Sequence, residues 1–270
     1  EHGIARLRQG FPISNRLLRE MHAVLMSKGR GSDKLPGEFR RSQNWIGGTR
    51  PGNAHFVPPP PHEVEQCMGA LENFLHDETN PLPVLLKAAL AHLQFETIHP
   101  FLDGNGRLGR LLIALLLYHG GLLADPLLYL SLYFKQHRSL YYHLLDTVRT
   151  TGNWEAWVEF FLEGVEQTAN SAVQTARQLN NLFAEDNRRI QQMGRAAASA
   201  LRVHAALRGQ PLLTLQNLSR QLGMTFPTAS KAMQALLAAG IARELTGQPR
   251  NRIFVYDAYL AILNEGGEPL

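Results

Sequence analysis

His99-Pro100-Phe101-Leu102-Asp103-Gly104-Asn105-Gly106-Arg107-Leu108-Gly109-Arg110 is the stretch on which the reading of this chain turns. Two glycines bracket an asparagine just before an apolar run, which predicts a loop entering a helix N-terminus. The first backbone N–H groups of a helix have no intrahelical acceptor and its dipole is positive there, so the turn suits an anion. Arg107 and Arg110 are three apart and share a face of that first turn. Cations are disfavoured at this end by about 0.3–1 kcal/mol each. Two of them make sense if a multiply charged anion, such as a phosphate chain, lies between them and the nest. Asp103 would repel that ligand unless a divalent cation bridges the two, and Mg²⁺ commonly uses one carboxylate plus phosphate oxygens. His99 precedes Pro100, which favours extended backbone at His99, and the ordinary histidine pKa of about 6.5 suits proton abstraction near neutrality. Each feature alone is an ordinary turn, loop histidine or solvated face. Their convergence within one short segment favours a phosphate site that carries its own base.

Outward from this segment, helical periodicity dominates. Ser14 is expected to cap an amphipathic helix over about 15–27. Further helices are expected near 62–76, 83–97 and 105–118, with helical pattern again over about 126–149. A long helix then runs from Trp154 to about Met193; its Gln-, Asn- and Arg-rich second half places a domain boundary near 185–198. Residues 28–61 are irregular and end in Pro58-Pro59-Pro60-Pro61. Within them, Asn44–Gly48 and His55–Val57 flank Thr49–Ala54 and read as a short β-hairpin. From Ala200 the pattern changes: a helix near 197–208, Leu213-Thr214-Leu215, a helix over 216–222, a Thr225-capped helix over about 226–239, and strands at 241–245 and 252–256. Two helices joined by a Gly-containing turn and followed by a hairpin read as a winged helix-turn-helix.

The 270 residues are 44% hydrophobic and 19% charged, a globular composition with room for two cores. Twenty-seven basic against 23 acidic residues give +4, too mild to mark the whole chain as nucleic-acid binding. The single cysteine, Cys67, excludes an internal disulfide and a multi-cysteine metal site, and reads as a small apolar residue facing the core. The longest apolar run, Leu111–Leu117, is far short of the roughly 18–20 residues of a membrane span. The chain opens at Glu1 with neither an initiator Met nor a basic-then-apolar leader. It is therefore read as part of a longer protein, cytoplasmic and without membrane contact.

The segment at 99–110 resembles the Fic family signature, His-x-Phe-x-(Asp/Glu)-Gly-Asn-Gly-Arg-x-x-Arg, at every defined position. Phe39–Ser42 through Val57–Pro60 resembles the family's flap, and Gln94–Ile98 its lead-in to the signature. Tyr133-Phe134 through Trp154–Trp157 and Phe160–Leu162 resemble its downstream helices, and the terminal module resembles one often appended to bacterial members. The resemblance implies a mainly α fold: a Fic helical core with a small β-hairpin flap, then a small winged helix-turn-helix. The corresponding domains are 1–185 (core about 38–165), a connector at 186–198, and 199–265.

It implies in turn a protein adenylyltransferase that moves AMP from Mg–ATP to a Tyr, Ser or Thr hydroxyl of a target protein. His99 would be the catalytic base and Asp103 would hold Mg²⁺. Amides around Gly104, Asn105 and Gly106 would form an anion hole. Arg107 would contact the β-phosphate and Arg110 the γ-phosphate, while Phe101 would be a core anchor. The target would add an extended segment to the flap near 46–57. Many relatives carry an inhibitory (Ser/Thr)-x-x-x-Glu-(Gly/Asn) helix whose glutamate pairs with the second signature arginine. Nothing in residues 1–270 matches it in a corresponding context, so Arg110 is expected to lack an intramolecular glutamate partner.

Between Ala200 and Arg252 the basic residues Arg202, Arg208, Arg220, Lys231, Arg243, Arg250 and Arg252 face Glu244 alone, a local charge of +6. This makes duplex DNA a candidate partner through 199–265; protein docking and a homodimer stay open beside it. The alternative to the enzyme is a DNA-binding transcriptional regulator that uses the Fic domain as a nucleotide sensor. The intact His99 favours the enzyme, because a sensor needs the nest but no base.

Overall fold

Capping residues and helix breakers set the first elements. The computed structural model describes residues 1–29, 31–79, 81–124, 130–248 and 251–265. A short helix α1 (His2–Arg8), which the sequence pattern did not suggest, precedes α2 (Asn15–Leu25). The Ser14 hydroxyl accepts from the Leu17 N–H at 3.3 Å, satisfying one orphan donor of α2. The proline run leads through a 3₁₀ turn (Pro61–Glu63) into α3 (Val64–His76). Next come α4 (Val84–Ile98) and α5 (Asn105–His119), joined by the signature loop.

Ala88, Ala89, Ala91, Leu93, Phe95 and Ile98 of α4 are all buried. A helix apolar over so much of its circumference is surrounded by others, and small alanines let its neighbours approach closely. The pattern at 126–149 divides into α6 (Leu130–Gln136) and α7 (Arg138–Thr151), because the chain leaves helical geometry at His137. Residues 126–129 of that pattern lie outside the described residues. The long helix α8 spans Trp154–Gln191.

The chain divides into two compact units, Glu1–Ala169 and Asn170–Leu270, so the division falls inside α8. In the first unit, α8 contributes Trp157 and Phe161 to a core shared with Leu17, Leu18, Met68, Phe95, Phe101, Leu108 and Leu112. Phe101 is fully buried, as expected of an anchor, and Cys67 packs partly buried against this core. Trp157 donates its indole N–H to the Ala89 carbonyl at 2.9 Å, so its polar atom is satisfied where the ring is wholly enclosed.

The hairpin expected at 44–57 contracts to one bridge, Ile46↔Phe56. Gly47 and Gly48 both have positive φ (71° and 67°) and turn the chain away after that pair. The Asn53 side-chain oxygen then accepts the N–H groups of Thr49 and Arg50, closing a loop instead of extending a ladder.

The second unit contains α9 (Ala197–Gly209), β1 (Leu212–Thr214), α10 (Leu215–Leu222), α11 (Phe226–Ala238), β2 (Arg243–Glu244), β3 (Ile253–Val255) and α12 (Asp257–Asn264). The strands form an antiparallel sheet in the order β1-β3-β2, with Leu213 opposite Phe254 and Arg243 opposite Val255. Helix α12 was not legible in the sequence pattern. Leu207, Leu218, Met233, Leu236 and Phe254 fill the core. Beside them the Tyr256 hydroxyl donates to Asp186 at 2.5 Å and lies 3.2 Å from His204 Nε2. Among the described residues no helix is long and apolar enough to cross a membrane.

Trp157→Ala should destabilise the first unit by about 3–5 kcal/mol, the range for deleting a buried aromatic. Denaturant unfolding followed by circular dichroism measures this. A loss below about 1 kcal/mol would contradict the packing described.

Candidate active site

The signature loop is built where the C-terminus of α4 meets the N-terminus of α5. His99 is the C-cap of α4 and is left-handed (φ 50°, ψ 59°), not extended as the following proline suggested. Its N–H still donates to the Phe95 carbonyl at 2.9 Å, so the helix ends on His99 and the chain reverses there. Two bonds from the buried Arg40 hold this corner: its N–H donates to the Pro100 carbonyl at 2.8 Å, and its Nε donates to the His99 carbonyl at 3.0 Å. The same guanidinium reaches the carbonyls of Ile98, Ser42 and Pro59.

Past His99, the Asn105 side chain closes the loop on itself. Its Oδ1 accepts from the Phe101 N–H at 2.9 Å, and its Nδ2 donates to the Phe101 carbonyl at 2.7 Å. Asn105 is therefore a buried brace, and what it can offer a ligand is its backbone amide. Gly104 is the left-handed N-cap of α5 (φ 83°), and its N–H donates to Asp103 Oδ1 at 2.6 Å. A Cβ on Gly104 would lie 2.8 Å from Met26 Sδ and 3.2 Å from His22 Nε2, so glycine is required by space as well as by φ. The amides of Asn105, Gly106 and Arg107 open α5, where no intrahelical acceptor exists for them.

His22 supports the loop from below. Its ring stacks on Phe101 with centroids 3.8 Å apart. The Gly37 N–H donates to its Nδ1, which leaves Nε2 protonated to donate to the Asp103 carbonyl at 2.9 Å. Burial holds its pKa below the ordinary value, in keeping with a neutral ring.

Asp103 and Arg107 are partly exposed at the mouth of this loop, with Arg107 Nη2 3.9 Å from Asp103 Oδ1 and in contact with Met26 Sδ. Among the described residues Arg110 has no carboxylate at ion-pair distance. No group of three or more His, Cys, Asp or Glu side chains gathers as a metal cage among the described residues. The donor set at Asp103 is one hard carboxylate beside an anion nest. That fits Mg²⁺ carried in with a phosphate chain, which takes most of its ligands from phosphates and water.

The sequence reading missed the charges beneath the loop. Glu96 is buried one turn before His99, and its Oε2 lies 3.9 Å from His99 Nδ1. A Cβ on Gly109 would stand 2.6 Å from Glu96 Oε1, so this glycine makes room for the carboxyl between α4 and α5. Desolvation pushes the Glu96 pKa up to about 7 against the pull of Arg110 and Arg149. Arg149 of α7 donates from Nε to Thr97 Oγ1 at 3.1 Å and from Nη2 to the Glu96 carbonyl at 3.2 Å. His99 Nδ1 is buried without a hydrogen-bond partner, which leaves Nε2 as the nitrogen that can meet a substrate. Desolvation, aided by Arg149 and Arg40, lowers the His99 pKa to about 4; the Glu96 carbonyl and Asp103 oppose it. Glu96 could have been picked out as the one acid in α4. Arg40 and Arg149 had no local signal, because the carbonyls of α4 that they meet are distant in sequence.

Residues 12–117 match the Fic/DOC family. The chain is 36% identical over 165 residues to the protein adenylyltransferase Fic of Drosophila grimshawi, covering 61% of this chain and 31% of that protein. It is 38% identical over 133 residues to the corresponding Drosophila mojavensis protein, covering 49% and 24%. It thus spans less than a third of the length of these curated relatives. A crystal structure of a Fic family protein from Desulfovibrio desulfuricans shares the fold, with a TM-score of 0.54 at 23% identity over 90% of this chain and 68% of that one. With His99 at the end of α4, the Asp103–Gly106 turn after it and both arginines in the first turns of α5, all inside the matched region, residues 12–117 form a Fic/DOC family domain.

Proposed function

We propose that this chain transfers AMP from Mg–ATP to a hydroxyl of a target protein. The observation that carries the reading is the meeting of a base at the end of one helix with an anion nest at the start of the next. The similarity to Drosophila proteins named as protein adenylyltransferases supports it. In this reading the target hydroxyl attacks the α-phosphorus of ATP, and its oxygen forms the new P–O bond. The bond to the β-phosphate breaks, pyrophosphate leaves, and the hydroxyl proton passes to His99 Nε2. The amides at Gly104–Gly106 face the phosphate oxygens, with the Gly104 N–H already engaged by Asp103. Arg107 takes the β-phosphate and Arg110 the γ-phosphate. Asp103 would hold Mg²⁺, which supplies charge neutralisation along the phosphates. The target segment docks along the flap near 46–57, beside the exposed Trp45 and Val57. Cytoplasmic placement belongs to the same proposal.

A second reading concerns 199–265, which we take as a winged helix-turn-helix that binds duplex DNA. Lys231 and Gln234 are exposed on α11, and Arg220 on α10. The sequence count of charge overstates the field, however. Arg243 is paired with Asp257 and Arg252 with Glu244, and Arg250 lies outside the described residues. DNA binding would therefore rest on few phosphate contacts and give a shallow salt dependence.

With α-labelled ATP and Mg²⁺, label should appear on protein and fall about 10²–10⁴-fold in His99→Ala, the usual worth of a general base. Nucleotide affinity should survive that change but weaken in Arg110→Ala; label persisting in His99→Ala would reject the mechanism. Histidine NMR on the nucleotide-free chain should find His99 neutral down to about pH 4. The sign follows from its lowered pKa: neutral above it, protonated only below. Titration at or above the ordinary value would refute the desolvated setting. Retention on duplex DNA should diminish with salt and drop further in Lys231→Ala; no retention at low salt would discard the DNA reading.

A further inference from the structure

One guanidinium touches both the helix that carries His99 and the flap that lies over it. Arg149 projects from α7, and its edge is spent on the last turn of α4, where it donates to Thr97 Oγ1 and to the Glu96 carbonyl. Its face is spent on the flap: the guanidinium carbon stands 3.7 Å above the centroid of the Phe56 ring. Phe56 is the residue that bridges to Ile46, and this bridge is the cross-strand pairing that gives the flap its shape.

We propose that Arg149 is a positioning residue that latches the flap strand, through Phe56, onto the end of the helix bearing His99. The base of the flap is tied separately, by Arg40 to the carbonyls of Ser42 and Pro59. A single bridge with glycines on one side cannot fix the distance between the far strand and His99, and the stacked cation does so. Arginine is suited to this and lysine is not. The planar group bonds through its rim while presenting a face to the ring, whereas an ammonium can do one or the other. The carbonyl of Glu96 lies in the final turn of α4, at the negative end of its dipole, so the cation is favourable there. The consequence for transfer rests on the flap being where a target segment docks. A latched strand would present the incoming hydroxyl at a fixed height above His99.

Hydrogen exchange in the full chain tests the latch. The bridge is held by Ile46 N–H to the Phe56 carbonyl and by the His55 and Phe56 N–H groups to the Ile46 carbonyl. Exchange at these three amides should quicken about 3- to 10-fold in Phe56→Leu and in Arg149→Lys, the range expected for a partly desolvated cation–π contact. Phe56→Tyr, which keeps an aromatic face, should stay at the parental rate, and the double variant should exchange no faster than the faster single one. Unchanged exchange in Phe56→Leu overturns the latch, and so does an equal rise in Phe56→Tyr. ATP affinity within about twofold of the parent shows that Arg149→Lys has folded. If that variant loses ATP binding, the two Phe56 variants decide alone. AMP transfer from α-labelled ATP to a panel of Ser, Thr and Tyr peptides should fall by the same factor as exchange rises. A loosened flap with undiminished transfer would overturn the docking reading and leave Arg149 holding the flap.

Discussion

A buried cation organises this site. Arg40 makes no ion pair among the described residues; its charge is taken up by the carbonyls of Ile98, His99, Ser42 and Pro59. A guanidinium without a counter-ion is costly to enclose unless its donors are matched. Here they are, and by the right groups. Ile98 and His99 end α4, where the helix dipole is negative and orphan carbonyls need donors. The left-handed turn of His99, the exit of the chain towards Asp103 and the anchoring of the flap all follow from that one arrangement. Had the end of α4 been capped by glycine and water, Ser42 and Pro59 at the base of the flap would lose this tie to His99.

The nest is held by the same economy of contacts. Asn105 occupies both hydrogen-bonding groups of Phe101, and His22 stacks under that ring while donating to the Asp103 carbonyl. These bonds fix the shape of the loop through its own side chains and those beneath it. Gly109 contributes differently: it admits the Glu96 carboxyl between two closely packed helices. In this segment Gly104 is required by backbone conformation and by space, and Gly109 by space.

The sequence showed the parts whose meaning is local and hid those whose meaning is tertiary. The residues read as base, carboxylate, nest and phosphate-facing arginines lie within one segment, where capping rules point to an anion. Ser14 and Thr225 were legible as caps for the same reason. Arg40 and Arg149 were not, because their partners lie some fifty-odd residues away and no periodicity marks them. The flap was legible as a turn between two flanking segments, but not in its length: consecutive positive-φ glycines stop the ladder after one bridge. The basic count of the second unit was misleading in another way. It added charges along the chain, while folding brought Asp257 to Arg243 and Glu244 to Arg252.

The electrostatics beneath the loop bear on when the proposed reaction can run. Desolvation and two nearby arginines make His99 a weak base, and burial pushes the Glu96 pKa up to about 7. A polyphosphate entering the nest adds negative charge beside the imidazole, which raises the basicity of a histidine. The same charge draws on Arg110, one of the two cations now favouring the ionised form of Glu96. The two effects oppose each other: the phosphates strengthen the base directly, while a less ionised Glu96, 3.9 Å from the imidazole, offsets part of that gain. A site with a strongly basic imidazole would instead be protonated near neutrality, and would begin each turnover by losing a proton to water.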